Sequence, residues 1–67
     1  MILPNRIKEL RESRKLTQKE ISLLTGKDET LVSMHENMKR PLNHQDILAY
    51  SKIFKIETHE LFIGVNE

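Results

Sequence analysis

Apolar residues return along the first part of the chain at Leu3, Ile7 and Leu10, with Arg6, Lys8, Glu9, Arg11 and Glu12 between them. That is the period of an α-helix with one face on a core and the other in water. It predicts a first helix from near Pro4, whose fixed φ suits a first turn, to about Arg14 or Lys15, whose charges complement the carbonyl end. Leu16 then turns inward. A second helix is expected to bury Ile21 and Leu24. A third carries Val32, His35 and Glu36 on one face, at positions i, i+3 and i+4. In a fourth, Ile47, Ser51 and Phe54 form the inner face, flanked by Leu48 and Tyr50.

Capping chemistry supplies the boundaries. Thr17-Gln18-Lys19-Glu20 has the S/T-x-x-E form of a capping box and opens the second helix. Gly26 closes it, because a residue without Cβ takes positive φ at little cost. Asp28 is a candidate cap for the third helix, which runs to about Asn37 and is kept from continuing by Pro41. Asn43, with Asp46 three residues on, marks the fourth. Lys55-Ile56-Glu57 is a connector, and Thr58 to Phe62 repeats the cap-then-apolar order as one short helical turn, followed by a tail closed at Gly64. No internal repeat, linker or low-complexity segment interrupts this series. The chain reads as one all-α domain over residues 1–67.

Composition narrows the chemistry. A chain of 67 residues buries a modest share of its surface, so a thin stability margin, helped by dimerisation, is expected. Without cysteine there is no disulfide, no Cys-based zinc site and no thiol nucleophile. No glycine-rich phosphate loop and no Ser, His and carboxylate set points to catalysis, so neither an enzyme nor a cofactor is expected. His35, His44 and His59 lie nine and fifteen residues apart, a spacing that suggests no metal site. His35 instead reads as a core histidine with a hydrogen-bond partner. The N-terminus lacks a signal-peptide pattern, and no apolar run reaches membrane length, so the expected location is the cytoplasm. The net charge of +1 divides unevenly: nine Lys or Arg against six Asp or Glu in residues 1–40 (+3), then two against four (−2). Such a balance permits a phosphate-facing surface without demanding one.

Two short helices joined across a glycine turn form a helix-turn-helix unit, here about residues 17–37, which can present its second helix to a DNA major groove. Leu16-Thr17-Gln18, Gly26, Glu36-Asn37 and Lys39-Arg40-Pro41 closely resemble the lambda-repressor-like, or XRE, family of bacterial and phage regulators. The similarity runs from Arg6-Ile7-Lys8-Glu9-Leu10-Arg11 to His59-Glu60-Leu61-Phe62. It implies a compact five-helix domain whose third helix reads double-stranded DNA, usually as a homodimer on a two-fold operator. Carried over by position, it makes Glu29, Thr30, Ser33 and Met34 the base-reading residues. It puts Gln18, Asp28, Asn37, Lys39 and Arg40 near phosphates, and pairs Arg11 with Glu36. Leu61, Phe62, Ile63 and Val65 form an apolar cluster expected at a dimer interface.

Four positions depart from that pattern. Asp28 and Glu29 stand where the family places Ser, then Arg or Gln; Lys27 replaces an apolar residue, and Met38 a glycine. A carboxylate repels phosphate, but Glu29 can accept from a cytosine amino group, and Thr30 and Met34 can touch a thymine methyl. Leu31, Met34 and Met38 make an apolar stripe at i, i+3 and i+7. With the acidic pair, that stripe supports an alternative: a protein-interaction module or antitoxin on the same scaffold with weakened DNA binding.

Overall fold

The computed structural model describes residues 4–62. Its order is α1 (Ile7–Ser13), α2 (Gln18–Thr25), α3 (Glu29–Glu36), α4 (His44–Phe54) and a 3₁₀ turn, Thr58–Leu61. Among the described residues there are thus four α-helices. The expected fifth element is the 3₁₀ turn, opened by reciprocal bonds between Glu57 and Glu60. No helix there is long and apolar enough to cross a membrane.

Ile7, Leu10, Ile21, Val32, Tyr50, Phe54 and Leu61 form the buried core, so every element contributes at least one side chain to it. Leu16, Leu42, Ile47, Ile53, Ile56 and Phe62 pack around its edge. Two expectations fail here. Leu24 lies outside the core, 59% exposed, because Ile21 alone fills the buried face of α2. Leu61 is fully buried within the monomer, so it completes the core and cannot serve as dimer-interface surface. Phe62 also packs against the core, and Ile63 and Val65 lie outside the described residues.

Both capping boxes close reciprocally, Thr17 with Glu20 and Asn43 with Asp46. α1 begins at Ile7 rather than near Pro4 because Asn5 is committed elsewhere. Its Oδ1 accepts from the Ile7 amide (3.0 Å), its Nδ2 donates to the His35 carbonyl (3.0 Å), and it forms an isolated antiparallel bridge with Phe62. Asn5 and Arg6 are thereby pinned beside the end of the 3₁₀ turn.

Each helix is followed by a left-handed residue: Lys15 (φ 56°), Gly26 (φ 74°), Met38 (φ 57°) and Lys55 (φ 58°). Only one is glycine. A Cβ at Gly26 would meet nothing within 4 Å, so the demand there is conformational, not steric. α3 therefore ends through Asn37 and Met38, upstream of Pro41. The C-terminal carbonyls of α4 gain a cation: Arg14 Nη2 donates to the Phe54 carbonyl (2.8 Å), with its guanidinium 5.3 Å from the Phe54 ring centre.

Candidate nucleic-acid interface

α2 and α3 meet across Gly26, Lys27 and Asp28. The turn is held from inside: Ser22 Oγ donates to the Lys27 carbonyl (2.5 Å), and the Lys27 amide donates to Thr25 Oγ1 (3.2 Å). Asp28 occupies the N-cap position of α3 in extended conformation, but its side chain makes no capping bond. Its carboxylate is exposed, as is that of Glu29 beside it. Negative charge at this end favours the helix dipole.

α3 divides cleanly. Val32, His35 and Glu36 are buried, and Glu29 and Thr30 are exposed on the other side. Ser33, Met34 and Leu31 are half-buried. Asn37 is exposed, and its side chain turns back on the helix, donating to the Ser33 carbonyl (3.0 Å) and approaching Ser33 Oγ (3.4 Å). Lys39 and Arg40 follow on the surface beyond the helix.

Two polar braces fix α3 from behind. In the first, Arg11 Nε lies 2.6 Å from Glu36 Oε2 and Nη2 lies 3.2 Å from Oε1, a bidentate fork between α1 and α3. Gln18 Nε2 adds a third donor to Glu36 Oε1 (3.0 Å), and Arg11 Nη1 donates to the Leu16 carbonyl (2.8 Å). The Glu36 bond raises the Arg11 pKa further, against the opposing effect of burial. Gln18, expected at phosphate, thus has its amide group engaged with Glu36 at the head of α2.

The second brace joins the helix-turn-helix to α4. Lys27 Nζ lies 2.5 Å from Asp46 Oδ1, with the two side chains 16% and 10% exposed. Asp46 Oδ2 accepts from the Asn43 amide (3.0 Å) and sits 3.5 Å from His35 Nε2. The other ring nitrogen, Nδ1, is 2.8 Å from the Tyr50 hydroxyl. A neutral ring with its proton on Nε2, facing the carboxylate, satisfies both contacts, and Tyr50 then donates to Nδ1. Burial lowers the His35 pKa, with Lys27 and Arg40 acting in the same sense and Asp46 against them. Burial also opposes the Asp46 charge, but the bonds from Lys27 and the Asn43 amide outweigh it and hold that carboxyl below its ordinary value. Tyr50 is pushed well above its usual range by burial, then by Asp46 and Glu36.

Sequence reasoning missed most of this second brace. Lys27 was visible only as a charge at an apolar position, and Asp46 only as a capping residue. Their juxtaposition depends on how α4 crosses the turn, which no local pattern records. Among the described residues no group of three or more potential metal ligands occurs.

The sequence matches the model of a family described as helix-turn-helix domain over residues 5–67. Among solved structures it is similar to the restriction-modification controller protein C.AhdI from Aeromonas hydrophila. That match has 33% identity and a TM-score of 0.80, and covers 85% of this chain and 86% of that one. Among curated proteins no relative matches the sequence. With the family model spanning nearly the whole chain, and α2, the Gly26 turn and α3 in the geometry described, this protein belongs to the helix-turn-helix domain family of DNA-binding regulators, in its lambda-repressor-like, XRE-type form.

Proposed function

We propose that the protein is a sequence-specific transcriptional repressor that occupies a two-fold operator as a homodimer in the cytoplasm. The observation that carries this reading is the division of α3, whose inner face is anchored by Val32, His35 and Glu36 while Glu29 and Thr30 stay exposed. In this reading Glu29, Thr30, Ser33 and Met34 meet base edges. Asn37, Lys39 and Arg40 serve the phosphates, which fix register without carrying sequence information. Gln18 assists from the head of α2, where its engagement with Glu36 links phosphate contact to the first brace. Asp28 is the dissenting member, a free carboxylate that restrains non-specific affinity.

The size of the domain supports dimerisation in this reading. The described domain measures 31 × 24 × 19 Å and has one reading helix, whereas half-sites lie about 34–36 Å apart, so two copies are needed to read both. The similarity to a controller protein supports a regulatory role. A second reading, a protein-interaction module or antitoxin, is favoured by one observation: Leu23 and Leu24 on α2 are 74% and 59% exposed.

Selection of duplexes from a random pool, followed by a salt titration on the enriched sequence, tests the proposal. DNA reading gives enrichment and a steep fall of log affinity with log salt. No binding to any duplex at low salt supports the interaction module instead. On the enriched site Thr30→Ala and Met34→Ala each cost about 1–3 kcal/mol and little on a scrambled duplex, whereas Lys39→Ala weakens both and lowers the salt slope by about one. Glu29→Gln changes the preferred base if Glu29 reads cytosine, and tightens every duplex if it only repels phosphate.

A further inference from the structure

We propose that Lys27, His35, Asp46 and Tyr50 are positioning residues for the reading helix, and that the angle they set between α3 and α4 holds only while His35 is neutral. The inference rests on the DNA-reading role proposed for α3, and its test separates the two.

The cluster joins three parts of the chain at one carboxylate. Lys27 comes from the turn that opens α3, His35 from the last turn of α3, and Asp46 and Tyr50 from the first two turns of α4. Asp46 also completes the capping box of α4 with the N-cap Asn43, so any movement that frees it disturbs the start of that helix. Both ends of α3 are thereby referred to the same point on α4. A helix reading base edges must keep its tilt to a fraction of an ångström, and side chains locked by mutual hydrogen bonds supply that constraint.

Protonation breaks the arrangement for a stated reason. Around the His35 ring, which is 1% exposed, stand Asp46 and Tyr50 from α4, Lys27 from the turn, and Arg40 beyond α3. Asn5, from the N-terminal segment, is neutral and bonds the His35 carbonyl; the adjacent Glu36 is already occupied by Arg11 from α1. In the neutral state one lysine meets one carboxylate. A charged imidazole gives two cations competing for that carboxylate, with Arg40 near by, and turns Nδ1 from an acceptor into a donor facing Tyr50. The Tyr50 hydroxyl must then reverse, with its proton left to find another acceptor.

The direction of the effect is diagnostic. Acidification ordinarily strengthens DNA binding, because added positive charge favours phosphate contact. Here it is expected to weaken it, as the population with α3 correctly tilted falls. The experiment measures affinity for a duplex enriched from the random pool between pH 7.5 and 5.5 at constant ionic strength. Circular dichroism and the His35 ring and α3 amide resonances are followed on the free protein.

The wild type should lose affinity on the order of tenfold while remaining helical. His35→Gln, which keeps a neutral polar group, should be flat, and a His44→Gln/His59→Gln double variant should retain the wild-type profile. Tyr50→Phe, which removes the donor to Nδ1, should move the midpoint to higher pH. Affinity that is constant or rises on acidification in the wild type overturns the proposal, as does a profile abolished by the double variant. So does a His35 ring that titrates at the ordinary value of 6.5. If no duplex binds at any pH, it is the DNA reading that fails. The positioning role is then decided by the free protein: it survives if the Thr30, Ser33 and Met34 amides shift with the His35 titration, and falls if they do not.

Discussion

The two braces behind α3 solve one mechanical problem with different chemistry. Arg11 and Glu36 form a bidentate pair whose carboxylate takes three donors in all, counting Gln18, and the Glu36 side chain is only 2% exposed. Lys27 and Asp46 make a single contact, and the remaining capacity of the carboxylate goes to a backbone amide and a histidine. The planar fork is complete in itself and includes no imidazole. The lysine version leaves room for a third partner, and that partner is an imidazole. A site that must be rigid at all times is served by the first design; a site whose geometry depends on protons requires something like the second.

Breaking the first brace should have the largest effect. Glu36→Gln leaves the Arg11 guanidinium without a counter-charge and turns one of the two oxygens that serve Arg11 and Gln18 into a donor, at about 3–5 kcal/mol for a pair this buried. A domain of this size is stable by roughly 3–10 kcal/mol, so the variant should be largely unfolded or melt more than about 10 °C below wild type. A shift of only a degree or two in a thermal melt would mean that the pair does not support the fold.

Lys27→Met comes next. It keeps the length and apolar stem of the lysine and strands Asp46, which retains the Asn43 amide and can hydrate through its partly open side. The expected loss is about 2 kcal/mol by chemical denaturation, less than for Glu36→Gln because the carboxylate keeps the Asn43 amide and the His35 Nε2–H. If the two variants cost the same, the contrast between the braces fails. The double variant Lys27→Met/Asp46→Leu should recover only part of the loss, since no uncompensated charge remains but the Asn43 amide and the His35 Nε2–H lose their acceptor.

Acid separates the braces without removing an atom. His35 in the folded chain binds its proton less readily than in the unfolded chain. Its contribution to stability is therefore complete above 6.5 and is lost as pH falls below that value through the lowered folded-state pKa. The difference in unfolding free energy between wild type and His35→Gln should shrink on acidification, no faster than the one-proton slope of about 1.4 kcal/mol per pH unit. Asp46 acts in the same sense at lower pH: its stabilisation is present above 3.8 and lost as pH falls through its depressed folded value. A difference independent of pH from 7.5 to 5 would refute the assignment of a neutral buried imidazole.

The same contrast explains how far the sequence could be read. Helical period and the Thr17–Glu20 and Asn43–Asp46 caps locate the helices, because those signals are local and each end satisfies its own amides. Arg11 with Glu36 could be named from the family pattern, and the His35 side chain from its place among buried positions. Leu24 misled because a helix of eight residues, lying at the edge of a small core, needs only one fully buried anchor, and Ile21 fills that role. Leu61 misled in the opposite sense. An apolar cluster beside so short a helical turn looks available for a partner, yet the bond from the Arg6 amide to the Leu61 carbonyl (2.7 Å) draws Leu61 back over the core. Lys27 with Asp46 joins residues nineteen positions apart through the packing of α4, and no periodicity encodes that.

The smallest prediction concerns two left-handed residues either side of α3, where backbone conformation rather than charge sets the cost. Gly26 precedes the helix at φ 74° and Met38 follows it at φ 57°. An L-residue in this region pays roughly 1–2 kcal/mol that glycine does not, offset in part by the larger entropy of glycine in the unfolded chain. Gly26→Ala should therefore cost about 1 kcal/mol, all of it conformational, since the new Cβ meets no neighbour within 4 Å. Met38→Gly should do the reverse and stabilise the domain by about 0.5–1 kcal/mol, less whatever the half-buried methionine contributes by packing. Met38 takes no part in the second brace, so its effect should add to that of Lys27→Met within about 0.5 kcal/mol, whereas Gly26 adjoins Lys27 in the turn and should couple to it. Additivity at Met38 but not at Gly26 would mean that the turn and the lysine it carries act as one unit. Non-additivity at both would mean that α3 moves as a rigid body between the braces, and that the two cannot be treated as separate supports.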